Sequence, residues 1–445
     1  MMRKKLPYYF ILFGIISLFF GMMFGFVATL QYIFPHFIKE YFAFTKSRAL
    51  HVTLVVAWIL MTATGIIYYQ MSKAKSGVLI PKISVFHFFS FLIGGLIIIG
   101  TLFGGIFGGR EYMAFPPVLS VFILAGWLMF AIGFFTHSRK LPKKWPVYYW
   151  MWATGIVFFI FTFSEAHLWL IPYFRENLVR DVTVQWKSYG ALIGSWNMLV
   201  YGSSIYIMYK IHDSTNLIRG KLAFALYFIG LMNLMFGWAH HCYIVPYSPW
   251  IRIIAYAISM SELLILGRII FLWSKSLVQS VKFLHKIEFR FLFAADYWIV
   301  FNLVLAILMS VPWINYYTHG TFITVAHAMG TTIGINTSIL ISAILWIVQK
   351  EHKKFTEKNK KQFMIGFYLF HSSLVVFWLS LIFAGIYKSE WMYSESTSQF
   401  GDMLSGIKPV FGVLYISGIG ILFGVLIVLL PVLKSIIKLI KKSRI

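Results

Sequence analysis

Twelve long apolar runs constrain this chain more than any other feature. They fall at approximately 8–34, 50–71, 83–108, 115–136, 146–173, 188–210, 222–245, 250–273, 290–314, 321–349, 363–387 and 407–433. Each reaches the roughly 20 residues that a helix needs to cross bilayer hydrocarbon. Lipid offers no water to backbone N–H and C=O groups, so each run must fold as a helix that satisfies its own. Composition agrees: 60% of the 445 residues are hydrophobic and 12% charged, against about 25% charged in a soluble domain. The reading is an all-α membrane protein, a twelve-transmembrane-helix bundle forming one domain over 1–445. No long soluble or low-complexity segment separates the runs, the longest connections being 174–187, 274–289, 350–362 and 388–406.

The start, Met-Met-Arg-Lys-Lys, precedes an apolar run from Tyr8 to Phe34. That run is too long for the core of a signal peptide and lacks a small-residue cleavage site, so it reads as a retained first span. With the N-terminus taken as inside, Lys and Arg number 28 in the inner segments and 10 in the outer ones. This asymmetry predicts that both termini are cytoplasmic, and it makes the net charge of +25 a property of inner loops rather than a sign of nucleic-acid binding. Cys242 is the only cysteine, which excludes a disulfide framework and covalent haem attachment. Any haem is therefore held by side chains.

Chemistry concentrates in Gly237-Trp238-Ala239-His240-His241-Cys242-Tyr243, near the end of the seventh run. Ionisable residues inside a membrane are costly and mark function by default, and neutral imidazole is the commonest metal ligand. Adjacent side chains on an α-helix point about 100° apart, so one metal takes both imidazoles only where the helix is distorted. The alternative is a pair of interfacial histidines wetted by headgroups. Three further positions weigh against that alternative. His51 opens span 2, His167 lies near the end of span 5, and His327 lies about two turns into span 10. With His240 and His241 they share the outer third of the membrane, a level best explained by one cofactor layer. His87 and His371 do not share it, and read as packing or helix-boundary residues.

The run Trp313-Ile-Asn315-Tyr316-Tyr317-Thr318-His319-Gly320-Thr321, followed by Thr324-Val-Ala326-His327-Ala328-Met329, resembles the catalytic cytochrome b component of bacterial nitric oxide reductase, a branch of the haem-copper oxidase superfamily. Other landmarks of that family follow in order: Arg48-Ala-Leu-His51, Gly109-Arg110-Glu111-Tyr112, His167-Leu168-Trp169, His240-His241 and Ser259-Met-Ser-Glu262. The likeness covers nearly the whole chain. It implies the haem-copper oxidase bundle and the reduction of two NO, with two electrons and two protons, to N2O and water. It also implies a bacterial cytoplasmic-membrane location. His327 would be the proximal ligand of a high-spin haem b3. His167, His240 and His241 would hold a non-haem iron or copper, and His51 one side of a low-spin haem b. Glu111 would lie near a calcium ion at the haem propionates, and Glu262 would be the internal acid. Relatives that use quinol carry a long N-terminal extension. Here seven residues precede the first span, so a small membrane-anchored cytochrome c is the expected partner.

Two positions depart from the family. Its metal-binding glutamate, four residues after the histidine of span 5, is Ile171 here, followed by Pro172. Three imidazoles suit copper as well as iron, which leaves the metal open. Glu165 lies about 200° round the helix from His167 and is a poor substitute, whereas Glu262 comes from another helix. The family's second low-spin haem ligand is Met329 here. Ala328 separates it from His327, so the two face opposite sides of their helix and could serve two haems. The competing reading of Met329 is a flexible filler of apolar space.

Rival functions are an oxygen reductase of the same architecture, a gas sensor and a transporter. Residues 211–223 lack the cross-linking tyrosine of pumping oxidases, although three-histidine ligation keeps an oxygen reductase in play. No soluble signalling domain or inverted repeat supports the other two. If Met329 ligates, the oxidised low-spin haem should carry the near-infrared band of methionine ligation. Met329→His should then lower its potential, because His/Met ligation raises it; an unchanged spectrum and potential in Met329→Leu would remove Met329 from the ligand set.

Overall fold

The computed structural model describes residues 2–73, 80–140, 144–213, 215–280, 283–394 and 398–442. Four of the charges used to orient the chain, Lys75, Lys143, Lys282 and Arg444, lie outside the described residues. Among the described residues, twelve principal helices follow one another: α1 (Met2–Ile33), α2 (Phe44–Lys73), α3 (Ile83–Phe103), α4 (Ser120–Ser138), α5 (Val147–Glu165), α6 (Leu178–His212), α7 (Lys221–Phe236), α8 (Pro249–Ser280), α9 (Ile287–Ser310), α10 (Phe322–Glu351), α11 (Lys360–Tyr393) and α12 (Phe400–Lys442). Among the described residues there is no β-strand, only an isolated bridge between Arg110 and Met113.

Each of the twelve apolar runs overlaps one of these helices, although 146–173 and 222–245 run past the ends of α5 and α7. Among the described residues, ten helical stretches have the length and apolarity of a membrane span. The runs 188–210 and 250–273 lie in α6 and α8, helices of 35 and 32 residues. Arg180, Asp181 and Lys187 make the start of α6 more polar, and Arg252, Glu262 and Arg268 interrupt α8.

The chain divides into two compact units: Met1–His167 with Ser195–Tyr206 and Leu429–Ile445, and Leu168–Gly194 with Ile207–Val428. In the first, α1 and α2 approach closely through small residues, the device by which membrane helices associate without a hydrophobic driving force. A Cβ at Gly65 would sit 3.0 Å from the carbonyl oxygen of Pro7. Buried tryptophans tie neighbouring helices by their indole N–H groups. Trp127 stacks on Phe159 with ring centroids 3.9 Å apart and donates to the Ile156 carbonyl at 3.0 Å. Trp152 donates to the Leu199 carbonyl at 3.1 Å.

In the second unit, α9 packs against α10. Asn302 donates to the Thr331 hydroxyl at 2.7 Å, and Ser342 to the Glu288 carbonyl at 2.6 Å. α10 is not uniform. A π-helical stretch, Gly330–Thr337, interrupts it directly after Met329. Threonine hydroxyls take up backbone carbonyls there: Thr332 bonds Ala328 at 2.8 Å and Thr337 bonds Thr332 at 2.9 Å. Such π turns recur at functional sites. The first turns of α10 also pack on α11, where Gly385 lets the backbones meet. A Cβ at Gly385 would lie 2.5 Å from the Ile323 backbone nitrogen, whereas one at Gly412 on α12 would meet nothing within 4 Å. Gly385→Leu is therefore expected to cost the roughly 1–3 kcal/mol of an overpacked core and lower the melting temperature in detergent. Gly412→Leu should leave it unchanged; equal melting temperatures for the two variants would contradict this packing.

Candidate active site

The distortion that adjacent histidine ligands require is present. α7 ends at Phe236, and Gly237–Cys242 form a 3₁₀ turn. Its cause lies one turn back. The Asn233 side-chain oxygen occupies the position a Cβ at residue 237 would take, so only glycine fits. The Gly237 N–H then donates to the Asn233 carbonyl. Three residues per turn alone would set neighbouring side chains about 120° apart, yet the two imidazoles lie with ring centroids 4.1 Å apart and planes at 46°.

The turn is braced on several sides. Asn315 donates to the His240 carbonyl and to the Met309 carbonyl, both at 2.8 Å. Tyr247 donates to the Ala239 carbonyl at 3.1 Å, and Tyr243 to the Ser310 carbonyl at 3.2 Å. Trp186 stacks on His241 at 5.8 Å, with planes 12° apart. His240 Nδ1 pairs with the Ser259 hydroxyl at 3.1 Å. Such hydrogen bonds on the far nitrogen fix the tautomer and aim of a metal-binding histidine. Glu262, one turn further along α8 than Ser259, accepts a hydrogen bond from the Asn233 amide through Oε1. One asparagine thus shapes the turn that carries both histidines and holds the nearby acid.

His327 lies opposite, its ring centroid 6.5 Å from that of His241. Its Nδ1 is buried without a hydrogen-bond partner among the described residues. The Asn302 backbone lies within reach of the same ring, and a buried imidazole is a competent haem ligand. His319, from the loop between α9 and α10, lies within electrostatic reach of His241. Burial holds its own imidazole below the ordinary histidine range, so it is neutral at physiological pH.

The remaining candidates lie elsewhere in the chain and have their own local settings. His51 Nδ1–H donates to the Gly21 carbonyl at 2.7 Å, which leaves Nε2 as the lone-pair nitrogen, as a haem ligand needs. His167 follows the end of α5. Its Nδ1–H donates to the Phe163 carbonyl at 2.7 Å, and its Nε2 accepts from the Ser120 hydroxyl at 2.6 Å. A metal at Nε2 would have to displace that serine. Ile171 stands outside the helix, extended at φ −86° and 48% exposed, as cap of the short helix Pro172–Arg175. Pro172 thus takes the position of the family's glutamate off the helical face of His167. Met329 is half-buried at the edge of the π turn. The Glu111 carboxylate is in an ion pair with Arg48, so the group expected near calcium already has a cationic partner. Beside it, burial and the Glu111 charge push the Tyr112 hydroxyl up to about 12.

Among the described residues, no three His, Cys, Asp or Glu side chains converge as a metal site. The residues fit haem ligation at His327 and His51, and they supply two converging imidazoles, His240 and His241, for a non-haem metal. Sequence reasoning missed Asn233, Ser120 and Trp186. Asn233 was findable as the residue one turn before a glycine that precedes paired histidines; the other two carry no local signal.

A family profile described as Cytochrome C and Quinol oxidase polypeptide I matches residues 5–423. A nitric oxide reductase polypeptide of Stutzerimonas stutzeri, one of that enzyme's subunits, is 23% identical over 414 residues, covering 85% of this chain and 83% of its own. A heme-copper terminal oxidase dimer solved by cryo-EM superposes with a TM-score of 0.72 at 14% identity, covering 98% of this chain and 84% of that one. That last likeness is one of fold. On the geometry at His327, His327→Ala should remove about half of the haem, measured as the pyridine haemochrome, and spare the low-spin spectrum. Full haem content in the variant would rule His327 out as a ligand.

Proposed function

The chain belongs to the Cytochrome C and Quinol oxidase polypeptide I family, and from that premise we propose that it is the catalytic subunit of a membrane-bound nitric oxide reductase. The observation that carries the reading is the joint placement of His240, His241 and Glu262 about Asn233, facing His327. In this proposal His327 holds a high-spin haem b3, and His51 a low-spin haem b with Met329 as its second ligand. His240 and His241 hold a non-haem iron or copper, with His167 as third imidazole once Ser120 releases it. Bound haem and metal supply the site for NO and the electrons for its reduction.

The protein's own groups then have definite tasks. The carbonyl of Gly21 and the hydroxyl of Ser259 fix the tautomers and aim of His51 and His240. Trp186 stacked on His241 and the apolar spans exclude water, which strengthens every charge interaction inside. Glu262 Oε1 is occupied by Asn233, so Oε2 is the oxygen that holds and releases a proton toward the substrate. The proton and charge duties that two carboxylates share in relatives fall here on Glu262, because residue 171 is an exposed isoleucine.

Sidedness follows the Lys and Arg distribution: both termini are cytoplasmic, in a bacterial cytoplasmic membrane, and the histidine layer faces outward. A small membrane-anchored cytochrome c on that side is the proposed electron donor. The replaced carboxylate favours one alternative, an oxygen reductase of the same architecture, since three imidazoles suit copper. The deciding experiment gives the purified protein one reductant and measures N2O formation from NO against O2 uptake, with metal analysis alongside. N2O formation that exceeds O2 uptake supports the reading, and the reverse replaces it with the oxygen reductase. Glu262→Gln should lower NO turnover by at least the roughly 10²–10⁴-fold of a lost general acid. Native-like turnover and metal content in that variant would relieve Glu262 of both duties.

A further inference from the structure

One feature of the second unit has no part in this chemistry. Where α11 begins, Lys358, Asn359, Lys361, Gln362, Ile365 and Ile427 line a cleft of about 440 Å³. Its two ends differ in character. Lys358 and Lys361 are exposed at one end, and neither is in an ion pair among the described residues. The other end is apolar and opens along the helix flanks: Ile365 is 52% exposed, and on α12 Phe423 is equally so, with Ile427 between helix and surface.

Cations are misplaced at this point of a helix. The first turn of α11 contains Lys360 and Lys361, follows Lys358, and has no acidic residue. Asn359 stands at the cap position but makes no side-chain cap; its amide donates instead to the Phe355 carbonyl at 2.8 Å. Gln362 is likewise turned away, donating to the Ile427 carbonyl at 3.0 Å. Lys360 and Lys361 therefore lie at the positive end of the α11 macrodipole, which has no side-chain cap, and Lys358, in the last turn of the short helix Phe355–Lys358, adds its charge beside them. Each such lysine is unfavourable there unless an anion sits among them. The segment 350–361 carries six Lys residues, the most of any connection in the chain. Positive charge at a membrane face needs no ligand to explain it, but the choice of a helix N-terminus beside a cleft does.

We propose that this cleft binds an anionic phospholipid, its phosphate held by Lys358, Lys361 and the first N–H groups of α11, its acyl chain lying on Ile365, Ile427 and Phe423. The apolar wall selects a lipid over a free anion, because a soluble phosphate leaves Ile365 and Ile427 exposed to no purpose. The anionic headgroup is selected over a zwitterionic one because the cleft offers cationic groups and no described carboxylate lines it. Gln362, bonded to Ile427, joins the two helices at the cleft, so an occupied site also clamps α11 to α12 at this end.

The test uses the full chain in nanodiscs of phosphatidylglycerol and phosphatidylcholine, followed by native mass spectrometry of retained lipid. Phosphatidylglycerol should be retained selectively by the unaltered protein. The double variant Lys358→Gln/Lys361→Gln should lose that preference by about fivefold for each lysine. Lys353→Gln/Lys354→Gln, which removes an equal charge from the same segment outside the cleft, should not, and Lys358→Arg/Lys361→Arg should keep the preference. The proposal is overturned if Lys353→Gln/Lys354→Gln weakens retention as much as the substitutions inside the cleft, since general loop charge would then suffice. It is equally overturned if phosphatidylglycerol shows no preference, or if millimolar inorganic phosphate displaces it, which would make the ligand a free anion.

Discussion

The candidate site depends on one contact, that of Asn233 with Gly237. The asparagine side chain fills the space of a missing Cβ, and α7 must tighten to a 3₁₀ turn around it. A regular α-helix would aim His240 and His241 about 100° apart. Beyond α7 the chain leaves the α-helical path, the two rings lie 4.1 Å apart, and the Asn233 amide bonds Glu262 on α8. Exchange of Gly237 for any other residue would push the asparagine out, and with it both the histidine pair and the acid. A single small residue thus couples backbone geometry to the placement of the histidine pair and of Glu262.

Around that contact, the protein prepares its imidazoles from behind. Gly21, Phe163 and Ser259 engage Nδ1 of His51, His167 and His240 respectively. Each partner fixes a ring by a group that needs no charge, which suits a medium where an unpaired ion is expensive. His327 differs: its Nδ1 has no partner among the described residues. The rigidity of α10 near it comes from threonine hydroxyls that bond the backbone around a π turn.

Acidic residues are scarce, 14 against 39 Lys and Arg, and those present are placed with care. Glu111 is matched to Arg48, and Glu262 to an amide. Lysines are distributed less evenly. In the sidedness proposed above, most sit where the membrane potential and anionic headgroups favour them, but Lys360 and Lys361 at the start of α11 occupy the end of a helix dipole that repels them. The anionic lipid proposed for the cleft would offset that conflict within the bilayer.

The sequence by itself determined the twelve helices, because apolar runs of membrane length leave the backbone one way to satisfy its hydrogen bonds. It also indicated that His240 and His241 could act together only in a distorted helix, and which histidines were candidates. Tertiary structure decided what periodicity cannot encode. The 3₁₀ turn depends on how an asparagine side chain packs against a glycine. The engagement of His167 by Ser120 joins residues 47 positions apart, and the pairing of Glu111 with Arg48 joins residues 63 apart. The role of residue 171 was half legible: the loss of a carboxylate was plain, but only the fold placed Ile171 off the helix and exposed, because Pro172 starts a new one. Local pattern fixes which groups are available, while long-range packing fixes where their lone pairs and protons point.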